Sequence, residues 1–338
     1  MVGRTDFRRD EEGKDKGMIR DFFNKIGRHA AVACGNFERI FENTESLSPL
    51  PTQTMQLLRE VNSESPDFDR IDTMLTSTPE IAAYILRMVN SAASGVPHEI
   101  KNVRHAMAML GLRRIKQLIT SASVVTSLPQ PSSTLFDRQK FWTDSLVTAL
   151  LARSLTRHTF AEYEEEVFIS TLLSEMAIPV LLVDWEEYYA PVLREWQEDT
   201  RRLWNIEQAY FGWDHSQAAV WLAQQWGFPE EMVSLIGTHT LSVDLLTGHD
   251  LDRTPAASIA LAAGFPSMLK NVKLSLVDSA MNVAYILGIP ASELATDVTR
   301  IEEQYEDMRE MLGLPKQGTD QRFRELREAF EEAGERGL

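Results

Sequence analysis

Thr78-Pro79-Glu80-Ile81-Ala82-Ala83-Tyr84-Ile85-Leu86-Arg87-Met88-Val89-Asn90 decides the fold class. Ile81, Tyr84, Ile85, Met88 and Val89 recur at the spacing of one buried helix face. Thr78 suits an N-cap, and Pro79 suits the first helical position, where its missing amide hydrogen costs nothing. The small residues at 90–95 end the run. The same period extends on both sides. Residues 52–61 turn Met55, Leu57 and Leu58 inward, and Phe68, Ile71, Met74 and Leu75 mark a further helix. Residues 103–110 and 112–125 read as two helices hinged at Gly111. No segment sustains the alternation of a strand, so the chain is expected to be all-α, a multi-helix bundle.

Prolines and small polar residues at Leu128-Pro129-Gln130-Pro131-Ser132-Ser133 make the clearest internal break. They divide two helical subdomains, about 44–127 and 138–240. The second reads as helices over 141–159, 164–183, 188–205, 215–226 and 229–240. A helical extension over 241–312 follows, with Ile301, Tyr305, Met308 and Leu312 as one stripe. Residues 313–338 form a linker and a terminal helix carrying Phe323, Leu326 and Phe330 on one side. Residues 1–17 are charged and expected to be disordered. Residues 18–43 read as an amphipathic N-terminal helix. Such flanking helices pack on the body, mediate a homodimer, or dock into a partner's groove.

With 34 Lys and Arg against 50 Asp and Glu, the net charge is −16. That balance excludes general nucleic-acid binding, which needs surplus cations to neutralise phosphates. Lys101, Arg104, Arg113, Arg114 and Lys116 nevertheless cluster against one acid, Glu99, and are the candidate surface for a protein partner. The single cysteine, Cys34, excludes an internal disulfide. Residues 1–17 have no apolar core of a secretory signal, and no apolar run reaches the length of a membrane helix. A cytoplasmic setting without membrane insertion is expected. The chain has no Walker loop, Gly-x-Gly-x-x-Gly or Gly-x-Ser-x-Gly, so phosphate cradling and serine nucleophilic catalysis are not indicated.

A family comes into view from several blocks in order. Leu47-Ser48-Pro49-Leu50-Pro51, Thr78 to Ala92, His105-Ala106 with Leu110 to Ile115, Trp226 to Glu231 and Ile236-Gly237-Thr238-His239 together resemble the HDOD domain of bacteria. HDOD domains are similar to metal-dependent HD phosphohydrolases but lack the metal-binding residues. The resemblance implies an all-α fold and a part in signal transduction, often in cyclic-di-GMP or two-component pathways. It implies no known reaction.

Three places correspond to the HD metal ligands. The first offers Asp144, the second Ser174 and Glu175 in place of the His-Asp pair, and the third His215, with His239 further on. Serine is a poor ligand at neutral pH, and carboxylates do not rebuild a centre designed around imidazoles without new partners. These five are therefore expected to be remnants of a lost centre, with no metal, no cofactor and no catalysis. The chain is expected to be a non-catalytic signalling scaffold that binds a protein. Two alternatives stay open. One is a residual phosphohydrolase or phosphodiesterase using Asp144, Glu175, His215 and His239. The other is a sensor whose vacated cleft binds a nucleotide such as cyclic-di-GMP, against which the acidic residues argue.

Overall fold

The computed structural model describes residues 50–90, 99–314 and 319–337. The expected disordered tail, the helix over 18–43, Cys34, and Leu47 to Pro49 of the first family block lie outside the described residues. So do Ser91 and Ala92 and part of the linker after Gly313. Every regular element among the described residues is helical.

The first four helices are α1 (Thr52–Val61), α2 (Phe68–Thr76), α3 (Pro79–Asn90) and α4 (Val103–Ser127). Helix α3 begins at proline as its sequence requires. The Thr78 carbonyl accepts its first amides, whereas the Thr78 hydroxyl donates back to the Met74 carbonyl of α2. Gly111 breaks α4 at φ 77° and ψ 167°, a conformation glycine adopts without strain. The elbow swings Val103, Ala106 and Met107 onto α3 while Ile115 to Val125 enter the deep core.

Helices α5 (Arg138–Thr159) and α6 (Glu164–Leu173) form the central pair. Around them follow α7 (Ala177–Asp184), α8 (Glu186–Glu198), α9 (Leu203–Phe211), α10 (His215–Gln225), α11 (Glu230–Ile236) and α12 (Val243–Gly248). Then come α13 (Pro255–Ala263), α14 (Val277–Leu287), α15 (Ala291–Met308) and α16 (Asp320–Glu335). The most apolar helical window, within Ala161–Asp184, is 89% buried by protein and serves as core.

Two expected helices are each split. Residues 164–183 separate into α6 and α7 because Pro179 has no amide hydrogen to donate to the Glu175 carbonyl. That carbonyl instead accepts from Ile178 at 3.0 Å, in a tight turn. Residues 188–205 separate into α8 and α9 because the Asp199 carboxylate accepts the Arg201 amide at 2.7 Å, turning the chain.

One hydrophobic cluster runs from Leu50 to Ala333. The break at 128–133 does not interrupt it: Leu128 and Phe141 are both buried in it. The extension and terminal helix join the same cluster. Helix α13 packs on α5, α16 packs on α14 and α15, and Phe323, Leu326 and Phe330 are buried. Ser154 of α5 donates to Asp297 of α15 at 2.9 Å, and His158 meets the same carboxylate at 2.6 Å.

Candidate functional site

The break between α6 and α7 sets the site. Ser174, Glu175 and Met176 lie in that turn, and Glu175 keeps a side-chain exposure of 33% toward a cavity. Ser174 is directed elsewhere. Its hydroxyl donates to the Thr171 carbonyl at 2.8 Å, and the residue is buried.

His215 is the first residue of α10. Asp214 caps that helix by accepting the Ser216 and Gln217 amides, while Gln217 returns a bond to the Asp214 amide. The His215 amide, left over at the helix start, donates to Glu207 of α9 at 3.0 Å. His215 Nδ1 meets the same carboxylate at 2.5 Å, and the Tyr189 hydroxyl donates to its other oxygen at 2.5 Å. Glu207 is thus wholly buried with three partners.

His239 lies in the turn after α11, with Nδ1 at 2.8 Å from the Ile236 carbonyl. Gly237 makes that approach feasible: a Cβ there would stand 2.8 Å from Val220 Cγ2 on α10. The two imidazoles lie 5.0 Å apart, centre to centre. Their Nε2 atoms both face Glu175, at 3.3 Å from His215 and 3.8 Å from His239. Neither approach has hydrogen-bond geometry, and both Nε2 atoms are buried without a hydrogen-bond partner. Ligand atoms of Glu175, His215 and His239 all lie within 4.8 Å of one another.

The charges follow from this packing. Burial works against a protonated His215, but the carboxylates of Glu207 and Glu175 outweigh it and raise the group to about 10. Burial pushes His239 below its ordinary value. Burial lifts the Tyr189 hydroxyl far up, reinforced by Glu207.

Asp144 of α5 lines the cavity but does not join the histidines. Its carboxylate accepts the Ser267 hydroxyl and the Met268 amide, the latter at 2.8 Å. Burial raises it to about 6, opposed by Arg322. The loop bearing Ser267 and Met268 roofs the cavity and is tied down by cations. Arg202 donates to the Gly264 carbonyl, Arg322 to Pro266 at 2.6 Å, and Lys270 to the carbonyls of Trp196, Asp199 and Arg201. Burial lowers Lys270 to about 8. The space left beneath has room for about 80 Å³.

The five candidate positions therefore divide. Glu175, His215 and His239 converge, whereas Asp144 and Ser174 are spent on loop and turn. Two imidazoles and a carboxylate suit a borderline transition metal such as zinc or iron(II). Tetrahedral zinc bonds near 2.0–2.1 Å place neighbouring ligand atoms about 3.3 Å apart, a spacing that His215 and Glu175 meet at 3.3 Å, that His239 and Glu175 exceed at 3.8 Å, and that the whole set approaches within 4.8 Å. Of the five positions expected to be remnants, three are brought to one point. Glu207 was missed altogether, although it follows Leu203 and Ile206 on the inward face of α9. A carboxylate on an apolar stripe was the available signal.

The candidate partner surface is mostly neutralised by the chain itself. Arg104 pairs with Asp69 and Asp72, Arg113 with Glu166 and Glu231, and Arg114 with Glu165. Lys116 donates to the Ser63 carbonyl at 3.0 Å, and Lys101 is exposed. Four of the seven tryptophans pack in two groups. Trp185 and Trp213 stack with Phe211, while Trp196 and Trp204 line the cavity beneath Lys270 and Arg202.

A model of the HDOD domain matches residues 47–241, more than half of the chain. The chain belongs to the HDOD family. An HDOD domain protein of unknown function from Geobacter sulfurreducens shares the fold at a TM-score of 0.55 and 17% identity, over 90% of this chain and 98% of that one. A protein provisionally named a metal-dependent phosphohydrolase, from Shewanella amazonensis SB2B, superposes at 0.59 with 16% identity, over 85% and 99% of the two chains. A provisionally named signal transduction protein of Marinobacter aquaeolei VT8 superposes at 0.54 with 16% identity, over 82% and 60%. An uncharacterized protein of Treponema pallidum (strain Nichols) is 22% identical over 203 residues, 59% of this chain. This HDOD chain spans 39% of that relative's length. The solved HDOD-like structures extend over the helices beyond residue 241 as well.

Proposed function

We propose that this HDOD protein is a signalling module that acts by binding a protein partner and not by turnover. The observation that carries the reading is the narrowness of the cleft. Room of about 80 Å³ holds a few waters, whereas pockets for nucleotide-sized ligands run to roughly 300–1,000 Å³. Its roof is the chain's own loop, fastened by Asp144, Arg202, Lys270 and Arg322. Asp144 and Ser174 are already bonded within the fold, so donors remain for one ion, not for a two-metal hydrolytic centre.

The surface favoured for contact is the Gly111 elbow. Met109 and Leu112 stand exposed there at 57% and 42%, beside Arg113 and near Lys101 and Arg104. Exposed apolar side chains bordered by arginine–carboxylate pairs suit contact with a protein surface. A role in a cyclic-di-GMP or two-component pathway is the setting that the family suggests.

Residual metal-dependent phosphohydrolysis is the second reading, favoured by the convergence of Glu175, His215 and His239. One assay separates the two. The full chain, supplied with Mn(II) or Zn(II), is incubated with a phosphomonoester and with a cyclic dinucleotide. Release at the rate of the protein-free blank is expected. Phosphate release that scales with protein and disappears in His215→Ala would overturn the proposal.

A further inference from the structure

We infer that Glu175, His215 and His239 hold one first-row transition-metal ion of the zinc class, with Glu207 as its positioning residue. The inference stands apart from whether the module turns anything over. Its basis is the hydrogen-bond accounting of the two imidazoles. A backbone carbonyl only accepts, so the contact of His239 Nδ1 with the Ile236 carbonyl puts the ring hydrogen on Nδ1. His239 Nε2 then presents a lone pair. His215 Nδ1 faces Glu207, an acceptor whose other oxygen is already taken by Tyr189. Once the second ring proton, favoured there by Glu207 and Glu175, is displaced, its Nε2 likewise presents a lone pair.

With both rings neutral, two buried lone pairs and a carboxylate oxygen face one point with no donor among them. A buried acceptor left in this state costs free energy. A shared proton is the simplest remedy short of a metal, and it falls short. Placed on His215 Nε2 it answers Glu175 but leaves His239 Nε2 unpartnered. Arg202, Lys270 and Arg322 donate to backbone carbonyls, and none of them makes a hydrogen bond to either ring nitrogen. One divalent ion accepts all three donors at once.

The surroundings suit an ion. A ligating histidine ordinarily donates its other ring hydrogen to a carboxylate or a backbone carbonyl, which fixes its tautomer and orientation. Here Glu207, braced by Tyr189, does this for His215, and the Ile236 carbonyl does it for His239. Glu175 closes the set from the α6–α7 turn. The cavity beside it leaves a fourth position for water. Such an ion would join three places in the chain: the α6–α7 turn, the start of α10 and the turn after α11.

The test uses the full chain, stripped with chelator and titrated with Zn(II), then with Co(II) as a coloured substitute. Calorimetry and elemental analysis are expected to give one equivalent per chain. The Co(II) form is expected to show the visible absorption of a tetrahedral site, and the melting temperature is expected to rise on loading. Glu175→Gln, at a position one-third exposed that spares the core, is expected to weaken binding at least 10-fold. Glu207→Gln is expected to weaken it 10- to 100-fold, with an altered Co(II) spectrum. Circular dichroism confirms that each variant is folded. No bound equivalent in the stripped and titrated protein overturns the inference. So does an equivalent whose affinity is unchanged in both Glu175→Gln and His239→Gln.

Discussion

The Gly111 elbow and the buried histidine cluster make an instructive pair. Both gather charged side chains, and at the elbow those charges are largely answered. Arg104, Arg113 and Arg114 find acids on neighbouring helices, and Lys116 finds a carbonyl. The cluster around Glu175 is smaller and mostly buried, yet two ring nitrogens there end without a hydrogen-bond partner. Charge density alone therefore misleads. A run of arginines loses its electrostatic pull once its acids are located, whereas unfinished valence in a core calls for an explanation.

The contrast can be broken first at Glu207. Glu207→Ala removes the acceptor for Tyr189, for the His215 amide and for His215 Nδ1. We expect a loss of about 3–5 kcal/mol in denaturant unfolding, as for a buried charge stripped of its partner. A loss below about 1 kcal/mol would mean that the cluster is not held by this carboxylate.

Asp144 comes next. Its folded value of about 6 lies above the unfolded 3.8, so its contribution to stability is complete below pH 3.8 and fades as pH rises through 6. At full burial that gap equals roughly 3 kcal/mol, and the exposure of Asp144 to the cavity reduces it to about 2. Relative to wild type, Asp144→Asn should therefore gain about 2 kcal/mol between pH 4 and pH 7. A difference independent of pH would remove this account of the roof.

The smallest effect is expected at the elbow. Arg113 is 59% exposed, and Arg113→Ala should cost no more than about 1 kcal/mol, because Gln117 still donates to Glu166 at 3.1 Å. A larger loss would place this surface among the structural elements and end its role in the comparison.

Much of the fold was legible. Helical period, Pro79 at a helix start and Gly111 as a hinge all translate local chemistry directly into backbone. The α6–α7 break was legible too, through Pro179, but the apolar run around it concealed the signal. The turn at Asp199 was harder, because its cause is one side-chain bond to a nearby amide. The site was legible in part. The residues Glu175, His215 and His239 stood out by type, but their convergence depends on how α10 and α11 pack, which spacing along a chain does not encode. Glu207 was hidden for the same reason, since its partners come from α8 and α10. The roof was hidden because residues 264–270 meet Asp144 only after α13 has folded back on α5.

Gly237 carries a consequence of its own. Helices α10 and α11 press together there with only a hydrogen between the backbone and Val220. The distance between the two rings is thus governed by an atom that glycine lacks. A single methyl group at this contact would force Val220 or the α10–α11 packing to shift, while leaving every charge of the cluster in the sequence.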